Sequence, residues 1–205
     1  MHISEGVIAA PALIAGAAGA VAGCAVGLKK MDLENTPKVA VLSSAFFVAS
    51  LIHIPVGPTS VHLVLSGLVG ILLGWMSFPA LLVALFLQAV LLQFGGITTL
   101  GVNTLVMATP ALLCYMLYAQ FVRGRNNAVA AVAGFLAGAT GILLGGMIVA
   151  LFLISTGEQF ITVAKLFIVV HLPVMIVEGI LTAFVVTFVR RIKPDVLGGV
   201  MYEKH

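Results

Sequence analysis

The sequence contains very few charged residues, since Asp, Glu, Lys and Arg together make up 8% of its 205 positions. A soluble domain carries about 25% charged residues, so this chain cannot cover a water-facing surface. Hydrophobic residues account for 61% of positions, and the mean hydropathy is +1.22. The composition excludes a soluble globular protein. It predicts an all-α, polytopic membrane bundle that forms one domain over residues 1–205.

Cysteine is also scarce. Cys24 and Cys114 each lie in an apolar stretch, and no CxxC pair is present. Both are interpreted as small core residues, which excludes a disulfide framework and a thiolate metal site. The net charge of +3 comes from basic residues scattered at the ends of apolar segments, so we expect no nucleic-acid partner.

Long apolar runs dominate the chain, and about 20 helical residues are needed to cross the hydrocarbon of a bilayer. The sequence predicts seven membrane-spanning helices with no soluble domain between them. The predicted spans are 6–28, 38–55, 59–77, 79–95, 103–122, 127–155 and 163–189. Four glycines are expected to tilt or interrupt the sixth span: Gly138, Gly141, Gly145 and Gly146.

Basic residues are confined to alternate loops of this topology. Nine of the ten Lys and Arg residues fall on one side, and Lys165 alone falls on the other. Cytoplasmic loops carry the excess of Lys and Arg, so the C-terminus is predicted to be cytoplasmic and the N-terminus outside. The nine are Lys29, Lys30, Lys38, Arg123, Arg125, Arg190, Arg191, Lys193 and Lys204.

The first span is rich in small residues at four-residue spacing. Such stripes let helices approach closely, either within the bundle or against a partner subunit. The two stripes are Gly19, Gly23, Gly27 and Ala12, Gly16, Ala20.

We expect the opening "MHISEG" to be retained in the mature protein. The stretch "VAGC" at 21–24 loosely resembles a lipoprotein processing site. However, no basic residue precedes the first apolar run, and Lys29 and Lys30 directly follow it. An export signal has the opposite arrangement of charge.

The predicted topology brings several polar residues to the outer face: Met1, His2, His53, His62 and Asn103. A free amine followed by histidine is a specific chelator. The amine of Met1, the amide nitrogen of His2 and its imidazole can bind one ion, closing a five-membered and a six-membered ring. A fourth nitrogen would complete a square plane, the geometry that suits Ni(II) and Cu(II). Because the ligands must lose protons, the affinity is expected to depend on pH.

The chain offers two candidates for the fourth nitrogen. His62 follows "GPTS", whose Gly57 and Pro58 predict a turn back toward the bundle. His53 competes, and either histidine alone could be an interfacial residue bonded to a backbone carbonyl. Glu5 is interpreted as a negative charge at the N-terminus of the first helix, with a ligand or supporting role as the alternative.

Asn103 also has two interpretations. It could cap the fifth helix, or it could hydrogen-bond a metal-bound histidine. Within the last span, "HLPVMIVEG" places His171 and Glu178 seven residues apart on nearly one helix face, interrupted by Pro173. A buried Glu in a span is a functional candidate. It could carry protons, bind a cation, pair with a partner subunit, or form an interior structural pair.

Four stretches carry a resemblance to a known family: "MHISEG", "IHIPVGPTSVHLVLSGLVGILLG", "FPALLVALFLQAVLLQFGGITTLGVNT" and "HLPVMIVEG". Across essentially its whole length the chain resembles the CbiM/NikM family. These are the substrate-capture subunits of energy-coupling-factor (ECF) transporters for cobalt and nickel, linked to cobalamin biosynthesis.

The resemblance implies seven helices with an inserted, outward-facing N-terminus, in a prokaryotic plasma membrane. It also implies a metal held by Met1, His2 and a histidine after the second span, here His62. Many cobalt-type members read more like "GSCSHPTG" where this chain reads "GPTSVHLV", so His53 stays open as a second ligand or gate. No resident cofactor is implied, because the ion is the cargo.

The family also implies partners: a membrane coupling subunit, a cytoplasmic ATPase pair, and in some systems a small accessory membrane protein. The chain itself has no GxxxxGK[ST] motif, so ATP hydrolysis is expected in a partner and the chain is not an enzyme.

Two alternative functions come from other classes. The first is an intramembrane metalloenzyme or proton-linked channel that uses His171 and Glu178, but the sequence has no HExxH, nucleophile elbow or paired intramembrane carboxylates. The second is a purely structural subunit. Between the two ions, a planar set of four nitrogens favours nickel over cobalt.

Overall fold

The computed structural model describes residues 2–56, 59–157 and 160–197, with the backbone alone for 53–56, 59–61, 163–164 and 167. Within these ranges it contains seven α-helices, one two-stranded hairpin and two short 3-10 turns. The helices are α1 (Ala10–Lys29), α2 (Thr36–Leu51), α3 (Ser66–Leu73), α4 (Ser77–Leu92), α5 (Leu100–Arg123), α6 (Asn127–Thr156) and α7 (Ile161–Ile192). The strands are β1 (His53–Val56) and β2 (Thr59–His62), and the 3-10 turns are Gly74–Met76 and Pro194–Leu197.

Five segments of the described residues are long and apolar enough to cross a membrane, and α2 is a shorter apolar helix. The segments are Ala10–Lys29, Ser66–Leu92, Leu100–Arg123, Asn127–Thr156 and Ile168–Ile192. These helices confirm a helical protein with several apolar segments, as the composition predicts. Seven crossings stay a prediction.

The predicted third span, 59–77, is wrong as a continuous helix. The chain first forms β2, which pairs antiparallel with β1, and the helix starts only at Ser66. Gly57 and Pro58, where a turn was predicted, lie outside the described residues. Apart from this short hairpin, the described fold is helical, as the sequence predicts.

The short helix α3 is buried along its whole length at the centre of the bundle. Its eight residues rise only about 12 Å, against about 30 Å of hydrocarbon. The chain then reverses at Gly74, whose φ is +56°. The ring of Trp75 lies 5.6 Å from Nζ of Lys30 at the far end of α1, whereas Gln88 on α4 contacts His2 at the other end. His62, which precedes α3, also lies beside His2. The segment Ser66–Leu92 therefore consists of α3, which runs away from His2, and α4, which runs back toward it.

Glycines in α6 do not interrupt it, contrary to expectation, and the helix is continuous over 30 residues. They let neighbours approach instead. A Cβ at Gly138 would lie 2.4 Å from the carbonyl oxygen of Glu178, and one at Gly141 would lie 2.9 Å from the backbone of Gly67. The glycines of α1 act similarly, since Gly16 meets Val102 and Gly23 meets Phe78. Gly16 and Gly23 belong to the two small-residue stripes of α1, so both stripes contribute to packing within the bundle.

Basic residues from distant parts of the sequence meet at one end of the bundle. Lys38 donates to the carbonyl oxygen of Val196, and Arg123 donates through Nε to that of Leu197, both at 2.6 Å. Arg190 donates to the carbonyl oxygen of Val122. The last 3-10 turn is thereby held against the helix ends. The side of the membrane that this end faces stays a prediction.

Candidate functional site

The amino-terminal segment is packed into the end of the bundle opposite these basic residues. Helix α1 begins at Ala10 rather than near residue 6, so the preceding residues form a separate non-helical segment. Ile3 within it is 3% exposed and belongs to the core cluster. Met1 lies outside the described residues.

Asn103 on α5 holds this segment by its backbone. Its Oδ1 accepts from the amide of Ile3 at 2.9 Å, and its Nδ2 donates to the carbonyl oxygen of Ile3 at 3.1 Å. The predicted cap is wrong, because α5 starts at Leu100 with Thr99 at the N-cap position. The buried amide instead satisfies both polar groups of one residue, as a neighbouring strand would.

Glu5 fixes the same segment to the loop between α4 and α5. Its carboxylate accepts from the amide of Thr98 at 3.1 Å and from the Thr98 hydroxyl at 3.2 Å. These hydrogen bonds lower the pKa of Glu5. The prediction that Glu5 sits at the N-terminus of the first helix is wrong, because four residues separate it from Ala10.

The ring orientation of His2 is set by a chain of hydrogen bonds running into the bundle. The carbonyl oxygen of Phe47 can only accept, so the Ser50 hydroxyl donates to it, at 2.7 Å. The Ser50 oxygen then accepts from Nε2 of Gln88 at 2.8 Å. This leaves Oε1 of Gln88 facing Nε2 of His2 at 2.7 Å. Since that oxygen can only accept, the proton of His2 is on Nε2, and Nδ1 carries a lone pair.

The ring of His62 is fixed in the complementary tautomer. Its Nδ1 lies 3.0 Å from the carbonyl oxygen of Leu63, an acceptor, so this nitrogen carries the proton. Its Nε2 therefore carries a lone pair and lies 3.2 Å from Nδ1 of His2. The two ring centroids are 4.9 Å apart. Two nitrogen lone pairs are thus brought close to each other, an arrangement that a cation between them would stabilise.

Burial keeps both rings uncharged. It is the main cause that lowers the pKa of His2 to about 3 and that of His62 to about 2, and the positive charge of the amino terminus adds to it. A neutral imidazole is the form that binds a metal ion. The pair is therefore ready to bind without first losing a proton.

His53 lies opposite His62 in the hairpin, where their Cα positions are paired in register. Its side chain lies outside the described residues. The structure brings the ring of His62 to that of His2, and the role of His53 stays a prediction.

Glu178 and His171 lie in the interior of the bundle, at 0% and 2% exposure. The carboxylate of Glu178 accepts from the backbone amides of Val64 and Leu65, just after His62. Helix α7 passes through Pro173 without interruption, which corrects the break expected there.

Gln88 and Ser50 are the site residues that sequence reasoning missed. Both are fully buried, at 0% exposure. One signal was available: a glutamine inside the apolar run "LFLQAVLLQF" needs a buried partner. No pattern pointed from Gln88 to His2, because 86 positions separate them.

Side chains alone do not form a metal site in the part of the chain that the structure describes, since no three His, Cys, Asp or Glu residues cluster there. Any ion held by the two histidines would need further donors from the backbone or from residues beyond this part.

Comparison with known proteins gives the family. A family model described as "CbiM: Cobalt uptake substrate-specific transmembrane region" matches residues 2–196. A protein of Haemophilus influenzae with the provisional name of metal transport protein is 42% identical over 203 residues, which cover 96% of this chain and 97% of its own. The "Cobalt transport protein CbiM" of Sorangium cellulosum is 32% identical, over 96% of this chain and 94% of its own.

A nickel transport protein and a solved structure are also similar to this chain. The "Fused nickel transport protein NikMN" of Rhodobacter capsulatus is 33% identical over 131 residues, covering 60% of this chain and 38% of its own. A solved structure titled as a transition metal transporter superposes with a TM-score of 0.75 at 25% identity, over 94% of this chain and 93% of its own. The resemblance inferred from the sequence is confirmed: the chain belongs to the CbiM family, whose members are membrane components of cobalt and nickel transport and not enzymes.

Proposed function

We propose that this protein is the subunit of an ECF-type transporter that captures Ni(II) or Co(II) outside the cell. Family membership supports cobalt or nickel transport within a complex. The ligand set is inferred from the geometry of His2 and His62. The ion is cargo, held on one face of the bundle until the complex moves it inward.

The observation that carries the proposal is the convergence of two lone pairs. Metal–nitrogen bonds are about 2.0–2.1 Å, so two ligands at a right angle lie about 2.9 Å apart. Nδ1 of His2 and Nε2 of His62 are 3.2 Å apart. The separation fits neighbouring corners of one coordination plane.

The remaining corners are assigned to the chain's own terminus. The His2 amide and the Met1 amine continue the chelate that starts at Nδ1 of His2, so this segment supplies three nitrogens and His62 the fourth. Asn103 and Glu5 support the set by fixing the backbone around it. His53 is assigned the role of a second ligand or a gate, because its Cα position is paired with that of His62 in the hairpin.

Nickel is favoured over cobalt on geometry. Four nitrogen donors in one plane suit Ni(II), and softer thiolate ligands are missing from the proposed set. The names of the relatives include both metals.

The proposed topology has seven crossings, counted with α3 as a short central crossing and α2 as the second. The reversal at Gly74 supports this count, as does the gathering of Lys38, Arg123 and Arg190 at one end. That end is cytoplasmic by the positive-inside rule. There, in a prokaryotic plasma membrane, the single domain would meet a coupling subunit and its ATPases, with or without a small accessory membrane protein.

The terminus can be tested by extending it. A four-residue, histidine-free extension before Met1 displaces the amine from the chelate and adds bulk where Ile3 is buried. We expect the purified protein to lose stoichiometric Ni²⁺ binding, measured by metal analysis and titration. The control carries the same extension after His205. Wild-type affinity in a protein whose extension is intact by mass spectrometry would contradict the proposed ligands.

A further inference from the structure

Glu178 is linked through one peptide group to His62, the histidine proposed to bind the ion. Its Oε1 accepts from the backbone amide of Val64, and both carboxylate oxygens accept from that of Leu65, at 2.9 and 3.1 Å. The carboxylate is fully buried, at 0% exposure. It therefore serves as a buried acceptor supplied by α7 to a segment that lies 113 positions earlier in the chain.

The two amides belong to the N-cap residue of α3 and to the residue before it. Leu65 is the N-cap residue of this helix, with φ +52°, and no side chain of the local sequence caps it. The first amides of a helix lack intrahelical partners, and the positive end of its dipole favours a carboxylate. Glu178 thus completes α3 from another helix and holds Leu65 in a left-handed conformation that Leu rarely adopts.

The same peptide group also orients His62. The amide of Val64 and the carbonyl of Leu63 form one planar unit. Glu178 binds its N–H end, and Nδ1 of His62 donates to its C=O end at 3.0 Å. Fixing one end of a planar group fixes the other. Glu178 therefore controls the acceptor that sets the tautomer and direction of His62.

We propose that Glu178 is a positioning residue for the captured ion: by fixing the Leu63–Val64 peptide it aims Nε2 of His62 at Nδ1 of His2. The inference rests on the proposed function, because it takes His62 as a ligand. It also gives α7 a part in the transport cycle. A shift of α7 relative to α3 would release the Leu63–Val64 peptide and turn His62 away from His2. The affinity for the ion would then fall.

The test measures Ni²⁺ affinity of the purified full-length protein by titration with Ni²⁺ alone. Removing an outer partner of a metal ligand costs about 10–100-fold in affinity, so Glu178→Ala should lose about that much. Glu178→Gln keeps an acceptor oxygen for the two amides and should recover most of the loss. Thr182→Val is the matched control, because Thr182 is also fully buried on α7, one turn further on.

A double-mutant cycle separates positioning from a general effect on the bundle. If Glu178 acts through His62, Glu178→Ala should lower affinity in the wild-type background and have little further effect in His62→Ala. An equal fold-loss in both backgrounds would overturn the proposal, as would an unchanged affinity in Glu178→Ala. A wild-type affinity in His62→Ala would instead contradict the proposed ligand set.

Should Glu178→Ala not be recovered as a folded protein, Glu178→Asp replaces it in the cycle. Asp keeps the charge but is one methylene shorter, so its oxygens withdraw from the two amides. A loss of Ni²⁺ affinity that disappears in the His62→Ala background supports the proposal. Unchanged affinity, or the same fold-loss in both backgrounds, overturns it.

Discussion

Gln88 accepts a hydrogen bond from Nε2 of His2 at 2.7 Å and thereby turns the other ring nitrogen toward His62. The glutamine cannot rotate its amide without cost, since its Nε2 is held by Ser50. A buried side chain on α4 thus selects the tautomer of a residue at the start of the chain. The bundle thereby holds the His2 ring in the tautomer that the proposed chelate needs.

Replacing Gln88 should weaken ion binding without moving a ligand. Gln88→Leu keeps the size of the side chain but removes the acceptor for His2, so the ring can place its proton on either nitrogen. Loss of such an outer hydrogen bond typically lowers metal affinity by about 10–100-fold. Titration of the purified protein with Ni²⁺ measures the change.

The matched control is Gln120→Leu, which changes an exposed glutamine on α5. We expect it to bind Ni²⁺ like the wild type. If Gln88→Leu also binds like the wild type, the hydrogen bond to His2 has no part in preparing the site.

Alanine variants of the two loop histidines, His53 and His62, should differ clearly in their affinity for Ni²⁺. His62→Ala removes a nitrogen that lies 3.2 Å from Nδ1 of His2 and should abolish tight binding. His53→Ala, at the paired position of the hairpin, should leave affinity within a few fold and is the matched control. Competitive titration with Ni²⁺ and Co²⁺ compares both variants. The reverse order of effects would assign the fourth ligand to His53.

Local patterns in the sequence predict helices and nominate candidate ligands. Apolar runs locate the helices, and local chemistry names His2 and His62, whose rings lie side by side in the structure. The interruption of the third span was not predicted. The run 59–77 is mostly apolar, and its overall composition does not distinguish strand β2 and the reversal at Gly74 from one long helix.

Long-range hydrogen bonds decide what the sequence left open at two residues. For Asn103 a helix cap and a hydrogen bond to a metal-bound histidine were the two interpretations, but it binds the backbone of Ile3, 100 positions away. Glu178 binds amides 113 and 114 positions away. In a bilayer every buried polar group needs a hydrogen-bond partner. A single sequence therefore indicates that such a residue has a partner, but it does not identify that partner.

Removing the Asn103 amide should loosen the amino-terminal segment. Asn103→Ala leaves the amide and carbonyl of buried Ile3 unpaired, which costs about 1–3 kcal/mol. We expect a lower thermal midpoint in detergent and a weaker affinity for Ni²⁺. Asn35→Ala is the control, because Asn35 makes exposed contacts with Asp32 in the loop before α2. Equal midpoints in the two variants would contradict the role given to Asn103.

Gly96 leaves room for Glu5. Its φ is +155°, and a Cβ there would lie 2.0 Å from Cγ of Glu5. Gly96→Ala should strain the backbone by about 1–3 kcal/mol and displace Glu5 from Thr98. Because Glu5→Ala removes the Cγ that the new Cβ meets, adding it should recover part of the lost thermal midpoint. If the two substitutions lower the midpoint additively, Gly96 and Glu5 act independently.

Burial of the two histidines should make the metal-free protein less stable in acid. An unfolded chain protonates His near its ordinary pKa of about 6.5, whereas the folded protein holds His2 neutral down to about 3 and His62 to about 2. Below about pH 6.5 the unfolded state therefore binds more protons than the folded state, and the free energy of unfolding falls as pH falls. Thermal unfolding with a chelator present, followed from pH 7 to pH 4, measures this.

His62→Gln removes one titrating group, so its midpoint should fall less steeply than that of the wild type. Parallel curves would show that His62 is protonated equally in both states, and hence that its ring is not held neutral for an ion.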